Sequence, residues 1–118
     1  MTLFGQKLRA LRQAHGISQK DLAARLDISA AYLSALEPGR RGRPTSRLID
    51  QICAVFDIIW DDADELRRLG RLSHPKITID TAGLNPDATQ AANLLARDIH
   101  KLKPEQLKQI LRILAEKP

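Results

Sequence analysis

The chain has 118 residues, with 19 Lys and Arg against 14 Asp and Glu, and a formal net charge of +5. That length allows one compact domain, or a small domain plus an appendage, and excludes a module joined to a full sensor or self-cleaving peptidase domain. Leu (18) and Ala (15) are abundant, while Val occurs once and aromatic residues four times. Leu and Ala enter helices at little entropic cost, whereas β-branched and aromatic residues favour strands. Ile is common at 11, so the composition leans towards helix without proving it. The single cysteine, Cys53, excludes an internal disulfide framework and a cysteine-based metal site. His15, His74 and His100 lie far apart with no i, i+4 pair, so no metal is expected. No apolar run reaches transmembrane length, and residues 1–6 lack the pattern of a signal peptide. A cytoplasmic location without membrane contact is the expectation.

The charge is uneven. Residues 1–47 hold nine bases against three acids, residues 48–72 three against six, and residues 73–118 seven against five. A strongly basic first segment points to a face that meets a polyanion; an ordinary solvated basic surface is the alternative.

Five helices are expected in the first 72 residues. Leu3, Phe4, Leu8 and Leu11 recur at helical spacing up to Ala14, and Gly16 stops that helix. Ser18-Gln19-Lys20-Asp21 opens a second helix in a capping-box pattern, with Leu22, Ala23 and Leu26 inward. After a short break at Asp27-Ile28, Ser29 caps a third helix, Ala30 to Leu36, with Leu33 and Leu36 inward. Residues 38–44 read as a loop from their Gly and Pro content. Thr45 or Ser46 restarts a helix to about Phe56, with Leu48, Ile49, Ile52, Cys53 and Phe56 on one face. Asp61-Asp62 opens a fifth helix to about Leu72, with acids first and Arg67, Arg68 and Arg71 last. That order complements the helix dipole and accounts for the acids without a metal.

His74-Pro75 marks a boundary, dividing the chain into residues 1–72 and 73–118. Ile77 and Ile79 alternate with polar residues as in a short strand. Asn85-Pro86 starts a helix that would bury Ala88, Ala91, Ala92, Leu95, Ile99 and Leu102. Lys103-Pro104 starts a last helix striped by Leu107, Ile110, Leu111 and Leu114.

Ser18–Leu26 and Ser29–Glu37, joined by a break of two or three residues, look like a helix-turn-helix: one helix crosses a DNA backbone and the next enters the major groove. The ordered set Gly5-x-x-Leu8-x-x-Leu11-Arg12, Ile17-Ser18-Gln19-x-x-Leu22-Ala23, Ile28-Ser29-x-x-Tyr32-Leu33-Ser34-x-Leu36-Glu37-x-Gly39 and Arg43-Pro44 resembles the xenobiotic-response-element (XRE) family of DNA-binding domains. The resemblance spans roughly residues 3–66. It implies a five-helix lambda-repressor-like, Cro-like domain; with the helical lean of the composition and the apolar stripes beyond it, the expectation is an all-α chain whose C-terminal helical segment, outside the resemblance, serves dimerisation and carries at most one short strand.

By position, the resemblance implies that Gln19 contacts the DNA backbone or a base, and that Ala30, Ala31, Ser34 and Ala35 face base edges. It also implies that Ser29 and Tyr32 touch phosphates or sugars, that Arg40, Arg41 and Arg43 bind the backbone or approach the minor groove, and that Arg12 pairs with Glu37. Plainer roles stand beside these: Gln19 as a good N-terminal helix residue, Tyr32 packing its ring on the second helix, the loop arginines merely solvated, and Arg12 and Glu37 as separate surface charges. Cys53 reads as a small core residue and Trp60 as core or a dimer contact. The sequence departs from the family pattern at Asp27, which replaces a turn glycine, at Pro38, which ends the third helix, and at Ala30, Ala31 and Ala35. Alanine forms no bidentate hydrogen bond but touches thymine methyl groups, so specificity would rest on apolar contacts, Ser34, Gln19 and DNA shape.

The leading expectation is a sequence-specific transcriptional regulator, a dimeric repressor on a palindromic operator, with double-stranded DNA as partner and no cofactor. Alternatives are an antitoxin whose C-terminal part binds a toxin, and a protein–protein adaptor that keeps the fold without reading DNA. No nucleophile–base set, phosphate loop or paired-carboxylate pattern supports an enzyme. Residues 73–118 are expected to build the homodimer, against the alternative of a hairpin folded back on its own domain.

Overall fold

The computed structural model of the chain describes residues 1–40 and 44–115. They form seven α-helices in the order α1 Leu3–His15, α2 Gln19–Leu26, α3 Ala30–Leu36, α4 Ser46–Phe56, α5 Trp60–Arg71, α6 Pro86–Asp98 and α7 Pro104–Ala115, with a short 3-10 turn at Ile99–Lys101. The chain divides into two compact units, Met1–Ile77 and Thr78–Pro118.

In the first unit one capping device starts four helices. A hydroxyl oxygen accepts the backbone N–H three residues on: Thr2 from Gly5, Ser18 from Asp21, Ser29 from Tyr32 and Thr45 from Leu48, all at 3.0–3.1 Å. Each satisfies a donor that the first helical turn leaves without a partner. The stops are equally local. Gly16 (φ 64°) and Asp27 (φ 56°) take the left-handed conformation that closes α1 and α2, so aspartate does the work of the missing turn glycine. α5 alone in this unit starts without a side-chain cap; its first residue, Trp60, has φ 55°, while Asp61 and Asp62 face the positive end of its dipole.

α2 packs on α3 and α4, α5 on α4, and α1 on α5. Their shared core contains Phe4, Leu8, Leu22, Leu26, Leu33, Ile52 and Leu66, all essentially solvent-free, with Leu36, Leu48, Ile49, Cys53 and Phe56 around them. Burial raises the pKa of the Cys53 thiol, as suits a packing residue. After α5, Ser73 accepts the Phe4 backbone N–H and donates to the Leu69 carbonyl, tying the end of the fifth helix to the start of the first.

Two expectations fail here and one is narrowed. Leu3 is half exposed, because Phe4 and Leu8 already occupy the inward face of α1. Of the two roles open to Trp60, exposure of 81% removes the core and leaves a contact at the surface, where its left-handed backbone opens α5. Ile77 and Ile79 form no strand within the described residues and are exposed, with no neighbouring strand to pair with.

In the second unit the Asn85 side-chain oxygen accepts the Asp87 N–H at 2.8 Å and Pro86 takes the first helical position. Ala88, Ala92, Leu95, Leu102, Leu107 and Ile110 are half-buried. Ala91 and Ile99, expected inside, are exposed, as are Leu111 and Leu114. No residue of α6 or α7 is fully buried. Two short helices have too few facing positions to enclose a side chain on all sides.

Candidate nucleic-acid interface

The site begins with a two-residue joint. Asp27 and Ile28 separate α2 from α3, and the Ile28 N–H reaches the Ala23 carbonyl at 3.0 Å, closing α2 before Ser29 caps α3. Leu22, Ala23 and Leu26 of α2 and Leu33 and Leu36 of α3 are buried together in the core, which fixes the angle between the two helices. The opposite side of α3 is thereby turned out. Ala30, Ala31 and Ser34 are exposed and Ala35 is half-buried, so the expected face is brought together on one side of the helix. It is small in side chain, which allows close approach of a backbone. The Ser29 hydroxyl is engaged as a cap. Tyr32 is 38% exposed beside a shallow groove also lined by Ser29, Thr45, Arg47 and Gln51.

Lys20, Arg25, Arg40 and Arg47 are exposed and make no ion pair with the described residues. By contrast, Arg67 pairs with Asp50 and Asp64, and Arg68 with Glu65, at 2.7–3.3 Å on α4 and α5. Arg41 and Arg43, assigned to the backbone by resemblance, lie outside the described residues.

Beneath the exposed face sits a buried ionic cluster. Glu37, which caps the C-terminal end of α3, is fully buried. Arg12 of α1 grips its carboxylate in a bidentate pair along one guanidinium edge, Nε to Oε2 at 2.6 Å and Nη2 to Oε1 at 3.0 Å, while Arg12 Nη1 donates to the Ile17 carbonyl at 3.2 Å. Arg9 Nε stands 3.8 Å from Glu37 Oε1. The expected Arg12–Glu37 pair is therefore present. Burial alone would raise the Glu37 pKa, but hydrogen bonds from Arg12 and Gln19, together with the charge of Arg12, outweigh it and hold the carboxyl below the usual glutamate range. Gly5 makes the cluster possible: any Cβ there would overlap the Glu37 carbonyl oxygen, so α1 meets the end of α3 only through glycine.

Sequence reasoning missed two features. Gln19 is not free: its Nε2 donates to Glu37 Oε1 at 2.8 Å across 18 positions of chain. Arg47, on the first turn of α4, borders the same groove as Tyr32. Its place among the bases of residues 1–47 was the available signal.

A family model described as a helix-turn-helix domain matches residues 3–69. RghRB of Bacillus subtilis, described as an uncharacterized HTH-type transcriptional regulator, is 37% identical over 62 residues, covering 52% of this chain and 45% of that protein. The HTH-type transcriptional repressor RghR of the same organism is 34% identical over 61 residues, covering 52% and 45%. The HTH-type transcriptional regulator SinR of Bacillus licheniformis is 26% identical over 74 residues, covering 59% and 67%. The chain thus spans less than half the length of RghRB and RghR. With α1 to α5 arranged around the α2–α3 joint and the family model covering them, the chain belongs to the helix-turn-helix domain family.

Proposed function

We propose that the chain is a sequence-specific DNA-binding transcriptional regulator, a dimeric repressor that sets α3 into the major groove of a palindromic operator. One observation carries this reading: an exposed face of small side chains on α3, flanked by the cations Arg40 and Arg47, which form no ion pair among the described residues. Unneutralised cations beside a helix able to approach closely are what a phosphate backbone recognises. The relatives named as transcriptional regulators and repressors support it. A regulator of this kind works in the cytoplasm and needs no catalytic group.

In this reading Gln19, Ala30, Ala31, Ser34 and Ala35 face bases, and Ser29, Tyr32 and the loop arginines Arg40, Arg41 and Arg43 meet the backbone, with Arg47 added. Gel shift of the full chain on selected and random DNA at several salt concentrations tests it. Affinity should fall as salt rises, with a log–log slope of about −0.9 for each phosphate neutralised. DNA binding that is absent, or indifferent to salt, would refute the reading.

Residues 73–118 serve assembly. The exposed Leu111 and Leu114 leave an apolar stripe without a partner in its own unit, and a symmetric operator calls for a two-fold dimer. Light scattering should give twice the chain mass for the full protein and the monomer mass after deletion of 73–118; the same number of chains per particle in both would remove the segment from assembly. The same stripe favours one second reading, an antitoxin-like regulator whose C-terminal unit masks a partner protein.

A further inference from the structure

The outer face of α3 poses a chemical problem. Ala30, Ala31 and Ala35 present neither donor nor acceptor, so Ser34 is the only polar side chain among the four positions facing outward. Discrimination between bases by hydrogen bonding needs another reader. Gln19, at the first position of α2, is partly exposed, and its amide is held from behind by Glu37.

That hold has one possible orientation. An ionised carboxylate only accepts hydrogen bonds, so Gln19 must turn Nε2 towards Glu37 and Oε1 away from it. The carboxylate cannot turn, because Arg12 binds both of its oxygens and is itself fastened to the Ile17 carbonyl, two residues before Gln19. Among the described residues, Gln19 Oε1 and its second N–H have no other partner. The free edge of the amide therefore carries one acceptor and one donor. Phosphate offers only acceptors and has no use for an outward carbonyl oxygen. Adenine offers an N6–H donor and an N7 acceptor in the major groove, which match this edge.

We propose that Glu37 is a positioning residue for base reading: it locks the Gln19 amide in the orientation that recognises adenine. This rests on the DNA-binding reading above. The lock supplies a specificity contact that the alanine-rich α3 lacks, and it removes the amide flip that a free glutamine would sample before binding.

The test uses the full chain. Sites selected from random DNA are compared with single-base variants of the best site. The wild type should prefer A·T at one position of each half-site. Gln19→Ala should lower discrimination there by about 5-fold to 100-fold and leave the other positions unchanged. Glu37→Gln should lower discrimination at the same position and add nothing further in the Gln19→Ala background. A purely structural Glu37 would weaken binding to every site and add to the Gln19 loss, which overturns the proposal. Equal loss on all sequences from Gln19→Ala overturns it as well, by making Gln19 a phosphate contact.

Should Glu37→Gln not fold, the free wild-type chain gives the reading by NMR. The Gln19 side-chain amide protons should exchange with solvent more slowly than those of exposed Gln13 and Gln109 and lie close to Arg12. Side-chain protons indistinguishable from those of Gln13 overturn the lock. Absence of any salt-sensitive DNA binding by the wild type overturns the DNA-binding reading and this proposal together. Retained binding with unchanged discrimination overturns this proposal alone.

Discussion

The two units of this chain use the same residue types to opposite ends. In Met1–Ile77, five helices converge from different directions, and Phe4, Leu8, Leu22, Leu26, Leu33, Ile52 and Leu66 lose essentially all contact with water. In Thr78–Pro118, two helices with equally clear apolar stripes bury no residue completely, and Leu111 and Leu114 remain mostly exposed. Amphipathic periodicity makes a helix able to bury a face; it does not supply the surface to bury it against. The first unit encloses a finished core, and the second leaves its apolar stripes partly open to solvent.

The contrast extends to charge. On α4 and α5, arginines and carboxylates neutralise one another at 2.7–3.3 Å. Around α2 and α3, Asp21 and Asp27 lie at the surface, while Glu37 is drawn inside to serve Arg12 and Gln19. The exposed Lys20, Arg25, Arg40 and Arg47 there form no ion pair with the described residues.

Substitutions can break this comparison, beginning with the largest effect. Glu37→Ala leaves Arg12 without its carboxylate and should destabilise the first unit by about 3–5 kcal/mol in denaturant unfolding. Less than about 1 kcal/mol would mean that the cluster is not buried in solution. Leu33→Ala should remove about 2–5 kcal/mol by opening a cavity in a solvent-free position. Leu114→Ala, at a concentration where the chain is monomeric, should change stability by no more than about 0.5 kcal/mol. Similar losses from the two leucine changes would erase the distinction between the units.

Acid should act next. The folded pKa of Glu37 is depressed, so its contribution is fully present above the unfolded glutamate value of about 4.3. It is lost as pH falls through the lower folded value. Circular dichroism should show the first unit losing stability below about pH 4.3, and Glu37→Gln should flatten that dependence. A modest effect sharpens the local picture: Ser18→Ala removes the cap of α2 and should cost about 1 kcal/mol. It should leave base discrimination intact, because Gln19 is held by Glu37 and not by the cap.

Much of this was legible in the chain. Leu22, Ala23, Leu26, Leu33 and Leu36 announced their burial by spacing. Ser18, Ser29 and Thr45 marked helix starts, and Asp27 marked a left-handed stop. The outward set Ala30, Ala31, Ser34 and Ala35 followed from the same periodicity, read on the opposite face. The Arg12–Glu37 pair came only through family resemblance, since nothing local links positions 25 residues apart. Leu3 misled because a helix next to a small core needs fewer inward positions than its sequence offers. For Trp60 the sequence left core and dimer contact both open, and its left-handed backbone places it at the surface.

What the sequence determined by itself was local: where each helix begins and stops, which face is apolar, and where positive charge accumulates. Capping bonds span three residues, left-handed stops depend on one residue, and helical periodicity needs only a turn or two. The tertiary structure alone decided that Gln19 meets Glu37, that Gly5 admits the end of α3, and that the apolar stripe of α7 finds no cover in its own unit. Those outcomes depend on the angles at which helices cross, and the crossing angles are set by the whole core at once.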